Sequence, residues 1–298
     1  MILACAGWRC QRMISVSNIP GGNPTARNDP EHFSIKFQIC PDCHQTFCDR
    51  CAPKAGFLRS TPCRQCGGKL VDGGQRQKVN GTQVAEFVRL HQEGYDHGAR
   101  GDMPAALALF DRAIAIREAY ADAHFSRGLA LRNLGRREEA VAAFERSFAV
   151  DPRNPQPLFD AGNVLRDLGQ RDRALATFDR ALAAEPRYVA VHINKSIALM
   201  DMDRAEEALH CAEEALRIEA AGASADHTPN AASFANGAKG AALLKLGRNQ
   251  EALAAIDQAI NDGPDNPDNY LNRATALERL GRAEEAATAK RIGRQLQG

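Results

Sequence analysis

The sequence predicts an all-α array of about six helical hairpins, an α-solenoid, preceded by a small β-containing module rich in cysteine. Three observations predict it. Eight of the nine cysteines lie within the first 66 residues and come in four pairs. Beyond residue 84 the sequence repeats itself every 34 residues. In most repeats a Leu-Gly step, as in Leu134-Gly135-Arg136 and Leu168-Gly169-Gln170, separates two helical stretches. At 298 residues the chain exceeds the usual single-core domain. With 44% hydrophobic and 25% charged residues, wholesale disorder is excluded. The reading divides into a cysteine module over 1–71, a polar linker over 72–83 and the hairpin array over 84–298.

The module is built on Cys5 and Cys10, Cys40 and Cys43, Cys48 and Cys51, and Cys63 and Cys66. A two-residue spacing lets a tight turn aim both sulfurs at one ion, and two such pairs complete a closed Cys₄ tetrahedron. Pro41 and the Gly67-Gly68 turn suit such knuckles. Four pairs therefore make two sites, and two Zn²⁺ are expected as the cofactors. Phe33, Ile35, Phe37 and Ile39 alternate with polar residues, which predicts a strand running into Cys40. Ile14 and Val16 point to a partner strand. A module this small buries little apolar surface, so metal should supply most of its folding energy.

The run from Cys40 to Cys51, flanked by outer pairs, resembles the double-zinc cross-brace of FYVE and RING fingers, a treble-clef-like arrangement, with spacing nearer FYVE. The resemblance implies that Cys5, Cys10, Cys48 and Cys51 share one zinc, and Cys40, Cys43, Cys63 and Cys66 the other. Sequential pairing of the same thiolates stays open. So does the plant-type iron–sulfur spacing of Cys43, Cys48 and Cys51, which strands Cys5, Cys10 and Cys40. Phe37-Gln38-Ile39 stands where FYVE domains carry a basic-histidine stretch. His44 follows Cys43 directly, unlike the ligand histidine of a RING.

Residues 72–83 read as the linker, marked by Gly73-Gly74 and Asn80-Gly81. The repeats then run near 87–120, 121–154, 155–188, 189–222, 233–266 and 267–298, with an insertion at 223–232. Gly94, Gly128, Gly162 and Gly240 recur at the eighth position, joined there by Ser196 and Ala274. Ala106, Ala140, Ala174, Ala208, Ala252 and Ala286 recur at the twentieth. Small residues at these places let the two helices of a hairpin approach closely. An aromatic residue four positions later fills the seam, and a terminal Pro, as at Pro152 and Pro186, ends the second helix.

A 34-residue helix–turn–helix period of this kind resembles the tetratricopeptide (TPR) repeat family, over more than two-thirds of the chain. The family's tryptophan is replaced by Leu90, His124, Leu158, His192, Asn236 and Tyr270, and its tyrosine by leucines such as Leu131 and Leu165. The fourth repeat has Ala212 and Ala220 in place of Phe and Pro, so its insertion should bulge as a loop or extend a helix. Lys290 and Gly293 in the last repeat mark a solvated terminal cap.

The resemblance implies a protein-interaction scaffold whose concave face, lined by first helices, binds a peptide or helix of a partner. The sixth residue of each repeat then faces the groove: Ser126, Asp160, Asn194, Ala238 and Asn272, with Asn163, Arg132 and Arg166 nearby. An amide there both gives and accepts a hydrogen bond with a peptide backbone. A carboxylate clamp is not expected, since His91 and Tyr95 hold the corresponding first-repeat positions.

No catalytic motif is present, and no enzymatic role is expected. His124 and His192 read as packing residues and Cys211 as a small buried one. The glutamates of Glu138-Glu139, Glu206-Glu207 and Glu284-Glu285 read as helix-dipole partners. Residues 1–83 carry 11 basic and 5 acidic side chains against 27 and 32 in the remainder. Zinc-bound thiolates would reduce the N-terminal excess further, so nucleic acid is not the expected partner. No stretch nears the about 18–20 apolar residues of a membrane span. Met1 to Cys5 looks like the end of a lipoprotein signal, but only four residues precede Cys5, and a cytoplasmic protein is expected. Two other functions stay open: a RING-like ubiquitin-ligase or transferase-recruiting protein, with an apolar patch around Trp8 and Phe57, and a regulator whose finger touches nucleic acid through Arg9, Arg12, Arg59 and Arg64.

Overall fold

A computed structural model of the chain describes residues 83–226 and 228–297, together with the backbone of six short strands within residues 2–72. Strands β1 (Ile2–Ala4), β2 (Met13–Ser15) and β3 (Phe33–Ser34) form one sheet in that order, with β1 and β2 antiparallel. Strands β2 and β3 run parallel with Ile14 opposite Ser34, so the partner strand expected at Ile14 is present. A second sheet, ordered β5-β4-β6, contains β4 (Phe37–Ile39), β5 (Thr46–Cys48) and β6 (Val71–Asp72). The single strand expected over 33–39 is thus divided between two sheets. The four cysteine pairs and their zinc sites lie outside the described side chains.

The chain forms two compact units, Met1–Asn154 and Pro155–Gly298. The first holds α1 (Gln83–Ala99), α2 (Met103–Ile116), α3 (Ala121–Asn133) and α4 (Arg137–Val150). The second holds α5 (Gln156–Asp167), α6 (Arg171–Ala184), α7 (Val189–Met200), α8 (Ala205–Ala220), α9 (Ala231–Lys245), α10 (Asn249–Asp262), α11 (Pro267–Arg279) and α12 (Ala283–Gln297). These are the six expected hairpins, and residues 83–226 and 228–297 contain no strand.

Each Leu-Gly step is a helix stop of defined geometry. Gly135 sits at φ 75°. Its N–H donates to Arg132 O (3.0 Å), and that of Arg136 donates back to Leu131 O (2.9 Å). This is the paired closure of a Schellman motif, which needs a left-handed residue. Gly169, Gly247 and Gly281 repeat it. The fourth hairpin makes the same closure with Asp203 at φ 58°, although a side chain there is strained.

The arginine after the stop, at the N-cap position of the second helix, makes no capping bond but grips a glutamate in that helix's first turn. Arg136 Nε and Nη2 donate to the two carboxylate oxygens of Glu139, each at 2.7 Å. Arg204–Glu207, Arg248–Glu251 and Arg282–Glu285 form the same fork. The glutamate assigned only to the helix dipole therefore also holds the arginine.

Between the two helices of a hairpin the packing is tight. A Cβ on Gly94 would lie 2.6 Å from the Phe110 ring, and one on Gly128 would lie 2.5 Å from Phe144. Gly162 against Phe178 and Gly240 against Ile256 are closer still. The large side chain thus covers the glycine of its own hairpin. Successive hairpins keep register through ion pairs from second helix to next first helix. Asp111 accepts from Arg127 at 2.7 Å, Asp179 from Lys195 at 2.6 Å and Asp257 from Arg273 at 2.6 Å. Glu213 and Lys239 make the equivalent pair at 3.2 Å across the insertion.

The insertion both lengthens a helix and loops out. Helix α8 has 16 residues where α4, α6 and α10 have 14. It closes on Gly222 at φ 58°, and the chain then folds back over the start of α7. Ala225 N donates to Arg187 O at 2.8 Å. Val189 N and Ala190 N donate to the two oxygens of Asp226 at 2.7 and 3.2 Å. Asp226 therefore caps a helix whose own N-cap, Tyr188, has no capping side chain. Ser224 and Thr228 donate to Asp226 and hold it in place. At the other end only Ala286, Ala289 and Gly293 of α12 are buried, as the terminal cap requires.

Two substitutions should act in opposite directions. Gly162→Ala pushes a methyl into the Phe178 ring and should destabilise the protein by about 1–3 kcal/mol. Asp203→Gly relieves a left-handed side chain and should stabilise it by about 0.5–1 kcal/mol, despite losing an exposed pair with Lys245. Denaturant melts of both variants check the signs; a stable Gly162→Ala would mean that the hairpin seam is slack.

Candidate functional site

The first helices of adjacent hairpins touch one another in each unit, α1 with α3, and α5, α7, α9 and α11 in succession. Their side chains at the third, fifth, sixth and ninth repeat positions therefore build one shared face per unit.

On the first unit's face, Ser126 is buried and bonded to His91: Nε2 and Oγ lie 2.8 Å apart. The other ring nitrogen, Nδ1, is 3.1 Å from the Tyr120 hydroxyl. A neutral imidazole gives one hydrogen bond and accepts one, which these two hydroxyls satisfy. Burial lowers His91 to about 4 and keeps it neutral. Phe110 and Tyr120 pack on the ring at 5.5 and 5.1 Å between centroids. Tyr95 stands 62% exposed beside this network on α1, and Arg132 is exposed on α3.

The second unit's face begins with Asp160, which is buried and accepts from Gln156 Nε2 at 2.8 Å. Gln156 in turn accepts from the Tyr188 hydroxyl. Arg166 Nη1 donates to Asn194 Oδ1 at 3.0 Å, and Asn194 Nδ2 donates to Ala190 O at 2.9 Å. Both amide atoms of Asn194 are therefore engaged, and a ligand would have to compete for them. Asn163 Oδ1 is buried without a hydrogen-bond partner. Ala238 and Asn272 are half-buried, and Asn272 makes no side-chain hydrogen bond among the described residues.

Sequence reasoning missed the His91 network and, on the second face, Asn269. Asn269 is 2% exposed, and its Nδ2 is buried without a partner. The signal was there to be read in part: Ala123, Pro157, Val191 and Ala235 fill the same repeat position without a polar side chain, although Arg89 of the first hairpin departs from that frame.

The histidines of the fourth position are not free ligands. His124 Nε2 bonds to Glu118 O at 2.8 Å and His192 Nε2 to Pro186 O at 2.9 Å, the carbonyl six residues earlier in each case. Burial pushes both below the usual histidine range. Cys211 is buried, which raises its thiol. Among the described residues no group of three or more His, Cys, Asp or Glu is arranged to hold a metal. No helix among them is long and apolar enough to cross a membrane.

Residues 159–226 and 238–291 match one tetratricopeptide repeat profile and residues 121–154 match a second, together just over half of the chain. An uncharacterized protein of Methanocaldococcus jannaschii is 46% identical over 50 residues, which is 17% of this chain and 58% of that protein. The chain thus spans less than two-thirds of this relative's length. Among solved structures, MamA from Desulfovibrio magneticus RS-1 is 19% identical, with a TM-score of 0.50 over 59% of this chain and 94% of its own. A tetratricopeptide repeat protein from Parabacteroides merdae is 16% identical, with a TM-score of 0.57 over 68% and 77%. The APC/C hetero-tetramer Cut9–Hcn1 gives 12% identity and a TM-score of 0.59 over 75% and 42%. At these identities the likeness is one of fold.

The buried imidazole has a pH signature. His91 ordinarily titrates near 6.5 and here near 4, so the unfolded chain takes up its proton first. Its contribution to stability is full above about pH 6.5 and is lost as pH falls toward 4, on the order of 2–3 kcal/mol. The stability difference between wild type and His91→Gln should shrink over that window in denaturant melts. Parallel pH curves would show that the ring is not buried as described.

Proposed function

The chain belongs to the tetratricopeptide repeat family, and on that premise we propose that it is a non-enzymatic scaffold or adaptor that holds a peptide or helix of a partner protein on its first-helix faces. The observation that carries this reading is the polar row on the second unit. Asp160, Asn163, Arg166, Asn194 and Asn272 all come from first helices and make the face polar rather than a packed apolar surface, Asp160 and Asn194 through bonds within the chain. Arg166 is held on Asn194 before any partner arrives, so less side-chain entropy is lost on binding. A fold neighbour, Cut9–Hcn1, is itself a protein assembly. The near-neutral charge balance favours a protein over nucleic acid as the ligand, and the proposed location is the cytoplasm.

The N-terminal cysteines are the proposed second docking module, with two Zn²⁺ held by Cys5, Cys10, Cys40, Cys43, Cys48, Cys51, Cys63 and Cys66. Fully thiolate-filled sites leave no open coordination position, so the metal's role is to fold the module.

Two measurements test the reading. Elemental analysis of chelator-washed protein should find two zinc ions per chain; one or none, or a brown iron-containing protein, would sink the zinc assignment. A partner identified by affinity capture should bind Arg166→Ala more weakly by about threefold to tenfold. If Arg166→Ala is silent while Glu206→Ala, exposed on the second helix of its hairpin, abolishes binding, the first-helix face is not the docking surface.

A further inference from the structure

The insertion strap and the docking face are joined by an unbroken line of hydrogen bonds. Arg166 Nη1 on α5 donates to Asn194 Oδ1 at 3.0 Å, and Asn194 Nδ2 on α7 donates to Ala190 O at 2.9 Å. The N–H of the same Ala190 donates to Asp226 at 3.2 Å, beside that of Val189 at 2.7 Å. Asn194 and Ala190 each give one bond and accept one, so the line runs one way, from a guanidinium to a carboxylate. Dipoles aligned between opposite charges strengthen one another. Behind Asp226 the strap is anchored in place. Ser224 and Thr228 donate to Asp226, and Ala225, 2% exposed, donates its N–H to Arg187 O at 2.8 Å.

Each link fixes the next. The first N–H groups of a helix have no partners within it, and Tyr188, the N-cap of α7, supplies none. Asp226 takes two of them and so holds the turn that carries Ala190. Asn194 hangs from that turn by its amide. Arg166 has one other contact among the described residues, Nη2 to Asp167 at 3.5 Å, which is long for a hydrogen bond. Asn194 therefore decides where the guanidinium points. A guanidinium carries more N–H donors than these two contacts use, and the others stay open to a partner.

We propose that Asp226 is a positioning residue for the docking face: through Ala190 and Asn194 it holds Arg166 in the orientation that a partner meets, so the strap sets the affinity of that face. This rests on the first-helix docking reading above and adds its regulation. An arginine already in place loses less freedom on binding, so freeing it lowers affinity. By linkage the effect runs both ways, and a ligand on Arg166 tightens the strap.

Two readouts on the full chain test this, the first without a ligand. In isotope-labelled protein, Asp226→Ala should speed hydrogen exchange of the Val189 and Ala190 amides about fivefold. The side-chain NMR signals of Asn194 and Arg166 should shift with them, while that of Asn272, which is off the line, stays in place. Asp226→Asn keeps one acceptor and should restore most of the protection. Should Asp226→Ala fail to fold, Thr228→Val loosens the carboxylate and carries the same expectation at smaller amplitude. Amides that exchange faster while the Asn194 and Arg166 signals stay put reduce Asp226 to a helix cap and overturn the proposal. For affinity, the probe is a peptide selected from a random-sequence phage library on the wild-type chain and weakened by Arg166→Ala. Asp226→Ala should weaken its binding about threefold, and should change nothing further in the Arg166→Ala background. An equal loss in both backgrounds means that Asp226 acts on the fold, and overturns the proposal. A selection that yields no peptide sensitive to Arg166→Ala overturns the docking reading, and the exchange and NMR shifts still decide whether Asp226 places Arg166.

Discussion

Within each hairpin the two helices approach until a small residue of the first lies under a side chain of the second, and the neighbouring choices adjust to that distance. Four hairpins use glycine against Phe110, Phe144, Phe178 or Ile256. The fourth replaces both partners, with Ser196 in the place of the glycine and Ala212 in the place of the ring. The Ser196 hydroxyl then needs a partner of its own and donates to Ala208 O at 2.8 Å. The sixth hairpin sets Ala274 against Lys290, whose ammonium swings outward to Glu278 at 2.5 Å. The chemistry of the seam thus changes from hairpin to hairpin while the small residue of the first helix stays fully buried, with Ser196 and Ala274 both 0% exposed.

The ion pairs between hairpins are exposed, and such pairs contribute little to stability. Their value lies in register. Acidic and basic partners recur at the same two repeat positions, and a helix slipped by one residue would lose them all within its unit. The insertion after α8 changes the sequence separation from 16 to 26 residues yet preserves the Glu213–Lys239 pair. The added chain is accommodated outside the packing that repeats.

What was legible in the sequence follows from this local character. The Leu-Gly steps announced helix stops because a Schellman closure uses residues within six of one another. The eighth- and twentieth-position residues announced the seam because they recur. Ser126, Asp160 and Asn194 were placed on first helices correctly, but their engagement with His91, Gln156 and Arg166 depends on a neighbouring residue type that no single repeat reveals. The Phe33–Ile39 alternation looked like one strand because period two carries no information about which sheet a segment joins. Asn269 went unnoticed because its setting is pairwise: its amide lies against Gly237, 32 positions earlier, where a Cβ would be 2.6 Å from Oδ1.

The cap that Asp226 places on α7 reaches across the whole hairpin it belongs to. In a stack of repeats each unit ordinarily needs only its immediate neighbours, so melting can start at an end and travel inward. Here the first turn of α7 is complete only after α8 and the returning strap have been synthesised and folded. A nascent chain that has emerged only through Met200 holds α7 with its leading N–H groups open to water. By the same bond, fraying of the strap loosens the start of a helix on the far side of the hairpin. The fourth hairpin therefore forms and opens as one block with the segment that precedes the fifth, a cooperative step written into an otherwise stepwise array.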